Sequence, residues 1–142
     1  MEDFKLDEDI RLLCIRAASF PGGIRAAQEK LSAIPETGSS RNHFGVSYLY
    51  DDEILYLAGV AVQGVNENIP AGCESYTLNK GNYISIYIPD FAKDTTQIEK
   101  AFKKLLADRR IDENGCCAEW YLPEGSDFSN AKDVRCMVRL AD

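Results

Sequence analysis

The chain contains two segments in which apolar residues recur every three or four positions, the pattern of a helix that buries one face. The first segment begins after Pro21-Gly22-Gly23, and its shared face consists of Ile24, Ala27, Leu31 and Ile34. Pro35 and the polar residues 36–40 are predicted to end this helix, because the residue before a proline disfavours helical backbone.

The second helical segment is predicted at about residues 95–108. Its apolar positions are Ile98, Ala101, Phe102, Leu105 and Leu106. Thr96 and Glu99 have the spacing of a capping box, in which the two side chains satisfy free backbone N–H groups of the first turn. Basic residues towards its C-terminal end suit the helix dipole.

The other apolar segments alternate with polar positions and are predicted to be strands. In chain order these are residues 9–17, 43–50, 54–63, 73–78, 82–88, 116–122 and 133–140. Asp51-Asp52-Glu53 and Asn79-Lys80-Gly81 are predicted turns, and a loop at 64–72 separates two halves.

The order of these elements predicts a single α+β domain over residues 1–142. It consists of pseudo-duplicated βαββ units, at about 4–63 and 73–141, that form one antiparallel sheet. Each helix has a single apolar stripe to bury. We therefore expect both helices on one face of the sheet and a ligand cleft on the other face.

Composition is that of an ordinary globular chain, with 45% hydrophobic and 27% charged residues. The net charge of −7 disfavours direct binding of nucleic acid, which depends on neutralising phosphates. No apolar run reaches the roughly 18 residues of a membrane span, and the acidic N-terminus is unlike a signal peptide. We therefore expect a soluble cytoplasmic protein.

Cysteine and histidine usage gives no sign of a metal or cofactor. The five cysteines are an odd number without Cys-x-x-Cys spacing, and His43 is the one histidine. We expect the cysteines to be small buried residues and predict neither a metal site nor a cofactor.

Glu119 is the residue least expected in its surroundings. It lies mid-strand among cysteines, alanine and aromatic residues, although glutamate is depleted in strands and is rarely buried without a partner. Alternation places Cys117, Glu119 and Tyr121 on one face. Such a carboxylate beside aromatic rings would suit a lipophilic cation. The alternatives are a solvated residue at a strand edge, or an ion pair with Arg135 or Arg139 across a hairpin.

Tyrosines on neighbouring strands are the other candidates for the cleft, since alternation directs Tyr83 and Tyr87 away from the isoleucines of their strand. The predicted ligand-binding residues are Glu119, Tyr121, Tyr48, Tyr83, Tyr87, Tyr56 and Trp120. The alternative for the tyrosines, which is the more frequent role of such residues, is an amphipathic position at the edge of the core.

The sequence resembles the GyrI-like family, the effector-binding domain also found at the C-terminal end of AraC-type and MerR-type multidrug regulators. The matching segments are Gly45-Val46-Ser47-Tyr48, Ala58-Gly59-Val60-Ala61-Val62, Ile69-Pro70-Ala71-Gly72, Gly81-Asn82-Tyr83, Glu119-Trp120-Tyr121-Leu122 and Asp133-Val134. The resemblance implies a twofold sheet with a central ligand cleft, and Glu119 in the place of the carboxylate that pairs with cationic drugs. A histidine that many members carry before the second helix is missing at Tyr87-Ile88-Pro89.

No helix-turn-helix precedes these elements in the sequence, so we expect a stand-alone effector- or drug-binding protein rather than a direct transcription regulator. Its partner would be a small lipophilic or aromatic molecule, most simply a cation, with Glu119 as counter-ion. One alternative is a hydrolase of reactive electrophilic small molecules that uses Glu119 as general acid or base. Another is a protein-interaction module such as a gyrase inhibitor. The sequence offers no nucleophile–base pair, which favours binding over catalysis.

Overall fold

The computed structural model of the chain describes residues 1–34, 41–62 and 69–141. The strands are β1 (Glu2–Leu6), β2 (Ile10–Arg16), β3 (His43–Tyr50), β4 (Glu53–Ala61), β5 (Glu74–Leu78), β6 (Gly81–Ile88), β7 (Cys117–Leu122) and β8 (Asp133–Arg139). The helices are α1 (Ile24–Ser32) and α2 (Thr96–Leu106). The predicted helix stop at Pro35 and 36–40, the strand end at Gln63 and most of the predicted 64–72 loop lie outside the described residues.

All eight strands form one antiparallel sheet in the order β1-β6-β8-β7-β3-β4-β2-β5. Exchanging β1–β4 with β5–β8 gives the same order read from the other end, so a pseudo-twofold axis passes between β3 and β7. The predicted α+β class, with one antiparallel sheet and two helices, is confirmed. The repeated unit is one strand longer than predicted, ββαββ, because β1 (EDFKL) has only two apolar residues and gives little strand signal.

The sheet curls strongly, because its connections are too short for a flat sheet. β5 and β6 stand six strand spacings apart in the sheet order, roughly 29 Å if the sheet were flat. Residues 79–80 alone connect them, and extended residues span at most about 3.6 Å each. Asn79-Lys80-Gly81 is therefore not the expected hairpin turn: β5 pairs with β2, and β6 pairs with β1 and β8.

The face enclosed by the curl is filled by the main hydrophobic core. Its fully buried residues include Phe44, Val46, Leu57, Tyr83 and Met137. The expectation of an open cleft on the face away from the helices is wrong for this reason, since curling turns that face inward and large side chains fill it.

Both helices pack on the outer face of the curled sheet. Ala27 and Leu31 of α1 pack on β2 and β4, and Ala101 and Leu105 of α2 pack on β6 and β8. The N-terminus of α2 lacks the predicted capping box; instead the Asp94 carboxylate accepts a hydrogen bond from the Thr96 N–H at 3.1 Å. The two central strands, β3 and β7, lie between the helices, and a groove runs along them.

Candidate functional site

Glu119 lies at the centre of the groove between the helices. In the register of β7, Gly45 of β3 and Cys136 of β8 are directly opposite Glu119, so all three face the same side of the sheet. Around Glu119 this face carries small residues, which leave room above the strands. They are Gly45, Ser47, Ala58, Cys117 and Cys136.

Glu119 as a residue is partly exposed, but its carboxyl group is strongly desolvated. Loss of hydration raises the pKa of Glu119 to about 7, partly offset by a hydrogen bond of 3.4 Å that the Tyr121 hydroxyl donates to it. Burial, with a contribution from the Glu119 charge, also raises the pKa of Cys117 to about 11 and that of Cys136 further. These shifts mark a poorly hydrated pocket that disfavours negative charge.

The predicted ion pair of Glu119 with Arg135 or Arg139 does not form. Both arginines project from β8 into the enclosed face, on the other side of the sheet. Arg135 donates hydrogen bonds to Glu2 at 2.7 Å and to Ser85 at 3.0 Å. Within the described ranges, no basic side chain contributes to the pKa of Glu119.

Tyr56 and Gln28 extend the site towards α1. The Tyr56 hydroxyl accepts a hydrogen bond of 2.9 Å from Gln28 Nε2, which also donates to the Phe44 carbonyl at 3.3 Å. The hydroxyl lies over Gly45, where a Cβ would overlap it. Tyr56 and Tyr121 also interact through their hydroxyls. Polar contacts therefore connect the α1 helix to the Glu119 carboxylate.

Sequence reasoning missed Gln28, although a signal was present. Gln28 is four residues after Ile24 and three before Leu31, so it is a polar side chain in the apolar stripe of α1. It is 1% exposed, and its Oε1 atom has no hydrogen-bond partner among the described residues. A buried, incompletely satisfied amide next to the groove is uncommon in a purely structural helix face.

Aromatic rings occupy the end of the groove beyond Tyr121. The ring of Tyr121 lies 6.0 Å from Phe91 and 5.8 Å, edge to face, from Phe128. The backbone N–H of Gly125 in the same loop donates to Asn42 at 3.3 Å. The β7–β8 loop thus holds Phe128 against the sheet.

The structure brings together Glu119, Tyr121 and Tyr56, but it separates them from the other predicted site residues. Tyr48, Tyr83, Tyr87 and Trp120 face the enclosed side of the sheet. The expectation that these four share a cleft with Glu119 is therefore wrong.

Contacts within the enclosed face explain these four aromatic residues. Tyr48 stacks on Tyr76 with 5.4 Å between ring centroids, and Trp120 packs 5.2 Å from Phe44. The Tyr83 hydroxyl donates to the Asn79 carbonyl at 2.5 Å, and the Tyr87 hydroxyl donates to Asp133.

Among the described residues, no group of three or more His, Cys, Asp or Glu side chains is placed to hold a metal ion. No helix in those ranges is long and apolar enough to span a bilayer. Cys14, Cys116 and Cys136 are buried as expected, whereas Cys73 and Cys117 are partly exposed.

No protein-family model matches the sequence, and no curated protein matches it either. Solved structures do share its fold. An integron cassette protein from the mobile metagenome of Vibrio cholerae superimposes with a TM-score of 0.70 and 10% identity, over 99% of this chain and 95% of that one. A candidate bacterial transcription-regulation protein from Staphylococcus aureus MU50 gives 0.64 and 10%, over 99% and 97%.

A third similar structure contains a ligand. The protein SAV2435, bound to tetraphenylphosphonium, superimposes with a TM-score of 0.62 and 12% identity, over 99% of this chain and 93% of that one. At these identities the likeness establishes a common fold. That fold is consistent with the one expected from the resemblance to the GyrI-like family.

Proposed function

We propose that this chain is an effector-binding domain of the GyrI-like type, which binds a small lipophilic cation in the groove between α1 and α2. Glu119 is the counter-ion, and the rings of Tyr56 and Tyr121 lie beside it. One observation carries the proposal: Glu119, a partly exposed residue at the centre of the groove, has no basic partner among the described residues.

The physical chemistry of the groove favours a cation over an anion or a neutral ligand. Because desolvation raises the pKa of Glu119 to about 7, a cation that replaces the missing counter-charge stabilises the ionised form. The rings of Tyr56 and Tyr121, which are 1% and 0% exposed, keep water away from one side of the carboxylate. The net charge of −7 also speeds the approach of cations.

The ligand of a similar structure supports this class of molecule. Tetraphenylphosphonium is a lipophilic cation, and the protein that binds it shares the fold over nearly the whole of both chains. Tetraphenylphosphonium is therefore a suitable first probe for this chain.

A thermal-shift comparison tests the proposal. Tetraphenylphosphonium and tetraphenylborate have the same shape and opposite charge, so the pair isolates the contribution of charge. A ligand present at 100 times its dissociation constant stabilises the folded state by about 2.7 kcal/mol. We expect a rise in melting temperature with the phosphonium alone, and its loss in Glu119→Gln. Equal shifts with both ions, or an unchanged shift in the variant, would contradict the counter-ion role.

Hydrolysis of electrophilic small molecules is the second candidate function. Its support is the pairing of Glu119, whose pKa is about 7, with the Tyr121 hydroxyl, because a general base works best with a pKa near the ambient pH. The carboxylate would take a proton from water as the water oxygen opens an epoxide, and the alkoxide would be protonated to give a diol. Mass spectrometry after incubation with an epoxide measures the rate of diol formation. A wild-type rate no higher than that of the Glu119→Gln variant argues against hydrolysis.

A further inference from the structure

A cavity continues the groove from Glu119 towards the C-terminal end of α2. It has a volume of about 220 Å³. The residues that line it and matter here are Ser47, Leu49, Ile54, Leu106, Cys117 and Val138. Apart from Leu106, which ends α2, these residues project from β3, β4, β7 and β8 on the same face as Glu119.

The cavity and the carboxylate are adjacent. Cys117 lines the cavity and is two residues before Glu119 on β7, so the two side chains are about 7 Å apart on one face. Their electrostatic coupling agrees with this distance, because the charge of Glu119 contributes to the raised pKa of Cys117. Both side chains are partly exposed, as a ligand that contacts both of them requires.

The mouth of the cavity is unusually apolar for a protein surface. Leu49, Ile54 and Leu106 are 65%, 50% and 49% exposed, respectively, and all three line this cavity. Isolated exposed apolar side chains are ordinary, but a contiguous group around a cavity is typical of a binding site. At the opposite end of the groove, Phe91 and Phe128 pack against Tyr121, so a ligand longer than the central site extends towards the cavity.

We infer that the ligand is an amphiphilic cation with a linear apolar chain, its charged head against Glu119 and its chain in this cavity. The inference rests on the proposed function and adds a ligand class to it. The volume is sufficient, because a dry cavity of about 150 Å³ already accommodates benzene. The carboxylate at one end and the cavity at the other, whose lining is mainly apolar but includes Asp112 and Glu113, match the two parts of such a molecule.

Alkyltrimethylammonium ions with butyl, hexyl, octyl and decyl chains are the probes, used below their micelle concentrations. The head is constant and the chain length varies. Each buried methylene is expected to raise affinity about fourfold, measured by titration calorimetry, until the chain reaches the mouth. The matching primary alcohols, which have no charge, are expected to bind more weakly at every chain length.

Neighbouring residues of the β3–β4 hairpin provide a matched pair of variants. Leu49 and Tyr50 are both exposed, at 65% and 64%, but alternation directs them to opposite faces of the sheet. Leu49→Asn, combined with Leu106→Asn, is expected to flatten the gain per methylene while leaving the affinity of the butyl ion unchanged. Tyr50→Asn is expected to leave the whole series unchanged.

The outcomes separate this inference from the proposed function. If tetraphenylphosphonium binds in a Glu119-dependent way but affinity is independent of chain length, the inference is overturned and the proposed function stands. The inference is also overturned if the chain-length gain is the same in the Leu49, Leu106 double variant. If no cation binds the wild type at all, both fail.

Discussion

Glu119→Gln is expected to change the pH dependence of folding stability in a defined direction. The substitution keeps the shape of the side chain and removes its charge. In the folded protein the pKa of Glu119 is raised from 4.5 to about 7. Between these two values the folded state binds more protons than the unfolded state, so stability falls as pH rises from about 4.5 to 7 and is constant above that range.

The magnitude follows from the size of the shift. One pKa unit corresponds to about 1.4 kcal/mol, so the shift from 4.5 to about 7 gives at most roughly 3 kcal/mol of free energy of unfolding. Partial exposure of Glu119 reduces this figure, because water screens the charge. We therefore expect the free energy of unfolding of the glutamine variant, relative to that of wild type, to increase by about 2 kcal/mol between pH 5 and pH 8.

Urea unfolding of both proteins, without ligand, at a series of pH values measures this difference. The exposed residue Glu124 supplies the control, since Glu124→Gln removes one negative charge outside the groove and so accounts for the general effect of losing a charge. The difference in free energy of unfolding between Glu119→Gln and wild type is expected to grow in favour of the variant as pH rises. A difference that is constant with pH, or that shifts in favour of wild type, would refute a desolvated carboxylate at Glu119.

Further substitutions test the two faces of the sheet separately. Gly45→Ala places a Cβ where the Tyr56 hydroxyl lies and is expected to cost about 1–3 kcal/mol in urea unfolding; a neutral result would mean that Tyr56 is free to move. Met137→Ala, in the enclosed core, is expected to cost about 2–5 kcal/mol without weakening cation affinity in the folded protein. Tyr48→Phe and Tyr87→Phe are expected to leave the affinity for tetraphenylphosphonium unchanged in calorimetry. A loss of affinity in either variant would mean that the ligand binds on the enclosed face of the sheet.

Local sequence pattern was sufficient for most helices and strands. The stripe of Ile24, Ala27 and Leu31 predicted α1, and the alternation of Tyr83 and Tyr87 with isoleucines correctly assigned the two faces of β6. These are interactions between residues close in sequence, for which period and propensity are informative.

The curl of the sheet could not be predicted in the same way. It depends on an exchange of edge strands, in which β1 pairs with β6 and β5 pairs with β2. Such pairings join residues 60 or more positions apart and leave no local pattern, and β1 itself has little apolar content.

The sequence pattern also could not predict which face of the sheet carries Glu119. β7 carries apolar residues on both faces, because Ala118 and Trp120 face the enclosed core while Cys117 and Tyr121 face the groove. Period-2 alternation groups Glu119 with its neighbours but cannot say which group faces the helices. Glu119 was therefore expected on the face away from the helices. In the structure it lies on the same face as the helices, where the small residues opposite it, Gly45 and Cys136, leave space between α1 and α2.

Proton release on binding tests the central claim most directly. At pH 6 most of the empty sites hold a protonated Glu119, because its pKa is about 7, and a cation that binds its ionised form must displace that proton. Calorimetric titration of tetraphenylphosphonium in buffers of different ionisation enthalpy counts the protons. We predict release of close to one proton per bound cation at pH 6, little at pH 8, and none in Glu119→Gln. Binding without proton release at pH 6, or the same release in the variant, would contradict a cation site at Glu119.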